Sequence, residues 1–345
     1  MSSAFQFYVT TLLIYAGVDI LAAWGLNLQF GTAGLLSFAF IVFQAAGAYT
    51  AGVLALGPQT DNGGYQHYIG GYALPFPIPI LAAMAVGAVI AVPIGLIALR
   101  RLRSDYQAVA LLVVSIIASS IATNETELFN GAAGISLVPH PLADQFGGDL
   151  LTYQWFYVGF TAAVCLVAYL IVHRVTHSPL GRAFRAMRDN EQAASALAKD
   201  ITGLRLLAFA IGGALGALSG AILVLFIGTW APSAWLYPET FVLLAAIIVG
   251  GTNNSLGTVV GVLLVPIGFA EGSRFLPEIG HPGLIDAGQW IAIGLMLLIF
   301  LWFRPQGILP ERKHRYANDG RLVTVLDELA GWLRRSLALI QRSSR

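Results

Sequence analysis

Long apolar runs are the feature of this sequence that most limits its fold. The runs at 153–173 and 206–227 match the roughly 20 residues that an α-helix needs to cross a bilayer. Because backbone polar groups inside lipid must bond within their own segment, such runs predict transmembrane α-helices. Nine spans are predicted, at about 8–28, 33–56, 75–99, 106–123, 153–173, 206–227, 239–252, 256–275 and 287–303. The predicted fold class is therefore all-α, a polytopic transmembrane helical protein.

Composition agrees with a protein that lives in the lipid bilayer. Hydrophobic residues make up 57% of the chain and charged residues 11%, whereas soluble domains usually carry about 25% charge. A net charge of +1 predicts no nucleic-acid partner. Cys165, which lies inside a predicted span, is the single cysteine, so an internal disulfide is excluded. We also expect no metal site. The N-terminus lacks the basic region of a secretory signal, so the first span is expected to be retained.

The basic residues predict the orientation. They concentrate at Arg100–Arg103, in the 174–205 segment and after Arg304. With nine crossings these three regions fall on one side, which the positive-inside rule assigns to the cytoplasm. We therefore expect a multi-pass protein of the cell inner (cytoplasmic) membrane, with the N-terminus outside and the C-terminus in the cytoplasm.

A polar segment at 178–205 separates two of the apolar spans. Ser178 followed by Pro179 is typical of a helix N-cap and first position, and we predict one helix over about 178–198. Its apolar residues recur at helical spacing: Leu180, Phe184, Met187, Ala194 and Leu197. Its charged residues are available to a protein partner: Arg182, Arg185, Arg188 and Glu191. The alternative is a cytoplasmic loop that is helical without contacting a partner.

Two polar interruptions, around Asn27–Gly34 and Gly250–Gly257, occur in the two halves of the chain. Paired interruptions favour an inverted repeat with backbone exposed along a translocation path. Simple turns between helices at the membrane surface are the alternative. Asp19 is an intramembrane carboxylate, which is costly unless it faces a cavity or a partner chain. The residues predicted to line a path are Asp19, Asn27, Ser37, Gln44, Tyr49, Asn253 and Asn254.

Nothing in the sequence predicts an enzyme. The only lysines, Lys199 and Lys313, follow no glycine-rich phosphate-binding loop, so we expect ATP to be hydrolysed by separate subunits and no cofactor to be bound by this chain. We predict a transmembrane permease domain over 1–305 and a cytoplasmic amphipathic tail over 306–345. The apolar stripe of that tail would contact either lipid or a cytosolic subunit.

Five motifs, in order along the chain, resemble the branched-chain amino-acid (LivM-type) family of ABC-importer permeases. They are LNLQFGTAGLLSF at 26–38, GAYTAG at 47–52, SPLGRAFRAMRDNEQAASAL at 178–197, IIVGGTNNSLGTVVG at 247–261 and FRPQGIL at 303–309. The third motif is similar to the coupling helix of that family, in which Glu191, Ala193 and Ala194 belong to the stretch that contacts the ATPases. Members commonly have glycine where this chain has Ala198, and we expect alanine to stiffen the end of the helix.

The resemblance implies a fold like that of type II importers. It also implies four kinds of partner: a second homologous permease, two cytoplasmic ATPase subunits, a periplasmic or lipoprotein solute-binding protein, and the bilayer. The predicted function is translocation of branched-chain or related amino acids, with urea and short amides left open as solutes. The alternative is an ion-coupled secondary transporter of a small polar solute that uses Asp19.

Overall fold

The computed structural model describes residues 3–58, 66–99, 104–269, 272 and 284–311. Most of these residues are helical, and one compact unit spans Met1–Pro310. The α-helices longer than four residues are α1 (Ser3–Asn27), α2 (Phe40–Ala55), α3 (Ile78–Leu99), α4 (Ser104–Asn124), α5 (Leu150–His177), α6 (Pro179–Asp189), α7 (Glu191–Ala196), α8 (Ile201–Ile227), α9 (Tyr237–Gly250), α10 (Ser255–Val262) and α11 (Leu284–Phe303). Two of them continue as π-helix, α1 through Leu28–Thr32 and α10 through Leu263–Phe269.

The polytopic all-α prediction is confirmed. Among the described residues, six helical segments are long and apolar enough to cross a membrane, and three shorter apolar helices accompany them. Each coincides with one of the predicted spans. The first predicted interruption was misplaced, because the chain stays helical through Thr32 and leaves helix only over 33–39. The amphipathic stretch predicted at 321–341 lies outside the described residues.

Helix α8 is the centre of the bundle and packs against α1, α2 and α3. Small residues allow this, because helices without bulky side chains at a contact can bring their backbones close together. A Cβ on Gly47 of α2 would overlap the backbone of Ala217, and one on Gly220 would overlap the carbonyl of Gln44. Helix α8 begins at the Asp200 cap, which accepts a bond from Gly203 N, and ends at Gly228 in the left-handed region.

Contacts between helix termini define two ends of the bundle. At one end, the C-terminus of α1 meets the turn between α9 and α10, where Trp24 Nε1 donates to Ser255 O at 2.9 Å. We call this the α6 end, because Arg188 of α6 donates to Gly31 O there. At the opposite end, the start of α1 meets the start of α5, where Thr10 Oγ1 donates to Gln154 Oε1 at 2.5 Å. Ile135 of the 125–149 loop pairs there with Trp230, just after α8.

The same element order occurs twice, in opposite directions. A long helix (α1 or α8) is followed by a segment without regular α-helix (33–39 or 228–236) and then by a short helix (α2 or α9). The two short helices begin side by side, because Ile41 N donates to Thr240 Oγ1 at 3.3 Å and the rings of Phe38 and Phe241 lie 4.7 Å apart. From there α2 runs to the opposite end and α9 to the α6 end. This element order agrees with the predicted inverted repeat.

Candidate functional site

Helix α6 is built as its sequence predicts. Ser178 Oγ accepts bonds from Leu180 N and Gly181 N, at 3.2 and 3.4 Å, and Pro179 occupies the first turn. Phe184 and Met187 are buried against the bundle and Leu180 is partly buried. One face of α6 therefore anchors it to the other helices of the bundle, and Arg182 lies on its exposed face.

The prediction of a single helix over 178–198 is wrong. Asn190 takes an extended conformation, with φ −157° and ψ 101°, and its side chain caps a second helix, α7, by accepting a bond from Ala193 N at 3.0 Å. Asparagine readily leaves a helix in this way because its side chain offers the backbone an alternative hydrogen bond. The break changes the direction of the apolar face: Ala194 is buried, but Leu197 is 75% exposed.

The sequence suggested that alanine at position 198 would stiffen the end of the helix, and this expectation is wrong. Ala198 lies beyond the end of α7 with φ +57°, a conformation that favours glycine. Ala198 N donates to Ser195 O and Lys199 N to Ala194 O, which is the pair of bonds of a Schellman motif. Glycine would therefore suit this position for a conformational reason.

Most of the charged residues predicted for coupling are engaged within the chain. Arg185 Nη1 donates to Thr176 O at 2.9 Å, and Arg205 Nη2 donates to Glu191 Oε2 at 2.6 Å. Arg188 Nη1 donates to Gly31 O at 2.5 Å and its Nε to Asp189 at 3.2 Å. Arg182 and Ala193 are exposed. The surface left for a partner is thus smaller than the sequence implied.

The two interruptions predicted from the sequence are brought together at the α6 end. Asn27 Nδ2 donates to Thr258 Oγ1 at 2.8 Å, and Asn27 Oδ1 accepts from Asn253 N at 2.9 Å. Thr32 Oγ1 donates to Asn253 Oδ1 at 2.7 Å. We call these four residues, Asn27, Thr32, Asn253 and Thr258, the polar junction. Asn253 lies in a turn between α9 and α10, as the simple-turn alternative predicts, whereas Asn27 and Thr32 lie in the last turns of α1 and its π-helical extension.

The other residues predicted to line a path are dispersed. Asn254 caps α10, accepting from Leu256 N and Gly257 N at 3.1 Å. Ser37 and Gln44 are buried in the bundle. Tyr49 is buried near the opposite end, with its ring 4.8 Å from Phe129 and 6.2 Å from Trp235. None of the last three faces open space in this conformation, and their role in a path stays a prediction.

Asp19 has an acidic neighbour that sequence reasoning missed. Glu239, in the first turn of α9, lies close enough to Asp19 for electrostatic repulsion. Asp19 is half-buried and Glu239 exposed, and neither forms an ion pair within the described residues. A carboxylate facing lipid is costly, so we expect Asp19 and Glu239 to face a cavity or a partner chain, as predicted for Asp19 from the sequence. The signal was a glutamate within the predicted seventh span, at its boundary.

A cavity of about 330 Å³ lies between the 33–39 segment, α9 and α11. Its lining is hydrophobic: Leu36, Phe38, Phe241, Val242, Leu244, Ala245, Ile248, Trp290, Ile293, Gly294 and Leu297. It offers no charged partner to the ends of a zwitterion, and binding of polar solutes needs such groups.

The fold and the site define a class of protein: a multi-pass helical membrane permease with a helical pair, α6 and α7, outside its spans. The chain belongs to the family described as the branched-chain amino acid transport system permease component, whose model matches residues 8–302. It is similar to the high-affinity branched-chain amino acid transport system permease protein LivM of Escherichia coli K12, with 29% identity over 85% of this chain and 68% of that protein.

Two further relatives are matched by this chain over a larger share of their own length. A probable branched-chain amino acid transport permease protein LivM of Methanocaldococcus jannaschii is 26% identical over 88% of this chain and 94% of that protein. The LivH permease protein of Escherichia coli K12 is 25% identical over 90% of this chain and 97% of that protein. No solved structure matches the chain at a significant level.

Proposed function

We propose that this chain is the permease subunit of an ABC importer that translocates branched-chain or related amino acids across the cytoplasmic membrane. Separate ATPase subunits drive it by docking on α6 and α7. The observation that carries this proposal is the pair α6 and α7 itself, which is anchored by Phe184 and Met187 and leaves Arg182 and Leu197 exposed. A rigid helix attached to the membrane helices can transmit the motion of a docked subunit to them.

The proposed topology follows from the two ends of the bundle. The α6 end carries Arg182, Arg185, Arg188 and Arg205 and faces the cytoplasm by the positive-inside rule. The opposite end, with Glu125, Glu127, Asp144 and Asp149, then faces the solute-binding protein. A second homologous permease completes the translocation unit.

The carboxyl pair of Asp19 and Glu239 supports a solute that carries an ammonium group. A bound cationic group would favour the ionised form of two neighbouring carboxyl groups that have no basic partner among the described residues. Amino acids provide this group, whereas urea and short amides do not. The names of the relatives point to branched-chain side chains, and leucine, isoleucine and valine are the first solutes to test.

Purification in mild detergent followed by reconstitution tests the proposal. The chain should co-purify with two ATPases and a second permease. Proteoliposomes of that complex should accumulate labelled leucine only with ATP inside and the solute-binding protein outside. Uptake without ATP, or a chain that purifies without ATPase subunits, would contradict the proposal.

The alternative is an ion-coupled secondary transporter, which the same carboxyl pair favours. It predicts uptake by the chain alone in liposomes with a proton or sodium gradient. It also predicts that Asp19→Asn abolishes uptake. Glu127→Gln, which removes an exposed carboxylate of the segment between α4 and α5, should not abolish uptake. Gradient-driven uptake without partner proteins would replace the importer assignment.

Labelling of single cysteines tests the orientation in intact cells. In a Cys165→Ser background, Arg182→Cys at the α6 end should resist an impermeant maleimide added from outside, and Glu127→Cys at the opposite end should react. Both positions are exposed in this structure, so burial does not explain a difference. The reverse pattern would invert the topology and remove the basis for ATPase docking.

A further inference from the structure

The polar junction ties together two places where helices end. It joins the last turns of the long α1 helix to the turn between α9 and α10 through three side-chain hydrogen bonds of 2.7 to 2.9 Å. Asn27, Thr32 and Thr258 are buried. Buried polar groups that are fully bonded hold one arrangement of the elements that carry them.

Helix α6 is bonded directly to this junction through Arg188. The Arg188 guanidinium donates to Gly31 O, a carbonyl in the final turn of the α1 helix and its π-helical extension. Carbonyls in the last turn of a helix lack partners within the helix and carry the negative end of its dipole, so a cation there is favourable. Gly31 lies between Asn27 and Thr32, both members of the junction.

Two glycines allow this close approach. A Cβ on Gly31 would lie 2.5 Å from Asn253 N, and one on Gly34 would lie 2.7 Å from Cγ of Arg188. Gly34 also has φ +74°. The junction is thus closed in this conformation, with no room between the end of α1 and the 250–257 turn.

We infer that Arg188 is the positioning residue through which α6 controls the polar junction, and that the junction closes the α6 end of the translocation path. This inference rests on the proposed function, because it needs a path and a partner that moves α6. When an ATPase displaces α6, Arg188 pulls on the end of α1 and the bonds between Asn27, Thr32 and Asn253 separate.

The test uses the complete complex in proteoliposomes, in a Cys165→Ser background. Thr32→Cys and Asn253→Cys put one thiol on each side of the junction, at two positions whose side chains are hydrogen-bonded to each other in this structure. Oxidation should link them and reduce ATP-driven uptake about tenfold or more, and reduction should restore uptake. In the unlinked pair, ATP with the solute-binding protein should slow cross-linking, because the junction then spends time open.

Arg188→Ala in the same background should remove the effect of ATP on cross-linking. It should lower uptake about tenfold while ATP hydrolysis continues. Arg174→Ala is the matched control, since Arg174 lies in the last turn of α5, outside the proposed docking helices, is exposed and makes no side-chain bond in the described residues. A purely structural role for Arg188 would lower the yield of the complex without changing the ATP dependence of cross-linking.

Two results would overturn the inference. One is undiminished uptake by the cross-linked pair, which retains Arg188 and so does not depend on recovering the Arg188→Ala protein. The other is cross-linking that still responds to ATP after Arg188→Ala. If the parent complex shows no ATP-driven uptake, the proposed function fails and the inference falls with it. If the parent complex shows normal ATP-driven uptake and either overturning result is found, the inference about the polar junction is rejected and the proposed function stands.

Discussion

Glu191 and Arg205 form an ion pair, with 2.6 Å between Glu191 Oε2 and Arg205 Nη2, that joins the start of α7 to the first turns of α8. The arginine side chain is 15% exposed and the glutamate 50%. The pair fixes α7 relative to a membrane-spanning helix. Glu191 is therefore engaged within the chain, although its sequence position suggested a charge left for a partner.

Reversing one charge of this pair should destabilise the α7 region, and reversing both should restore it in part. We expect Glu191→Lys or Arg205→Glu to cost up to about 1 kcal/mol, the usual range for a pair near the surface. The double variant should recover most of that loss. Apparent melting temperatures of the four proteins in one detergent give the coupling energy, and Arg182→Glu serves as an unpaired control. If the loss of stability in the double variant equals the sum of the losses in the two single variants, the ion pair contributes nothing to stability.

Ala198→Gly should stabilise the C-terminal cap of α7. A left-handed conformation costs a residue with a Cβ about 1–2 kcal/mol, and glycine avoids most of this. Ala196→Gly is the matched control, since Ala196 is exposed at the end of the same helix and should lose about 1 kcal/mol. Thermal unfolding of the purified variants measures both changes. A lower melting temperature for Ala198→Gly would contradict the cap geometry.

Gly261→Ala should prevent normal packing of α10 on α9. The added Cβ would overlap the carbonyl of Ala246, and overpacking of this kind costs about 1–3 kcal/mol. Gly159→Ala, in α5, has nothing within 4 Å of the added atom and should fold normally. Size-exclusion chromatography of fluorescent fusions compares the folded yields. Similar profiles for the two variants would mean that α9 and α10 pack less tightly than described.

Stability should depend on pH through the N-cap of α5. The hydrogen bond from Thr152 Oγ1, at 2.6 Å, holds the pKa of Asp149 below its ordinary value of 3.8. Because the pKa is lower in the folded protein, this stabilisation is present above about pH 3.8 and is lost as the pH falls through the lowered pKa. Asp149→Asn keeps a neutral cap and should lack this contribution, while Asp149→Ala should be less stable across the range.

These outcomes are read from melting temperatures measured at a series of pH values near and below 3.8. An identical acid response in the wild type and in Asp149→Asn would show that the carboxylate does not cap α5.

Sequence reasoning succeeded where a local rule decides the structure. Apolar length placed the membrane-spanning helices, because hydrogen-bonding requirements in lipid leave few alternatives to a helix. Ser178 and Pro179 placed the start of α6, because capping depends on side chains within one turn. The paired interruptions favoured an inverted repeat, but the segments that correspond in the repeated element order are 33–39 and 228–236 rather than the two predicted interruptions.

The sequence by itself determined a multi-pass helical membrane protein with a helical segment outside the spans. Only the tertiary structure decided the break at Asn190, the left-handed Ala198, the bonding of Arg188 to Gly31 and the approach of Glu239 to Asp19. The last two relationships join residues more than 150 positions apart, and no local preference encodes them. The bonding of Arg188 to Gly31 arises because α6 is anchored by Phe184 and Met187, and because glycines at 31 and 34 let the end of α1 approach Arg188 closely.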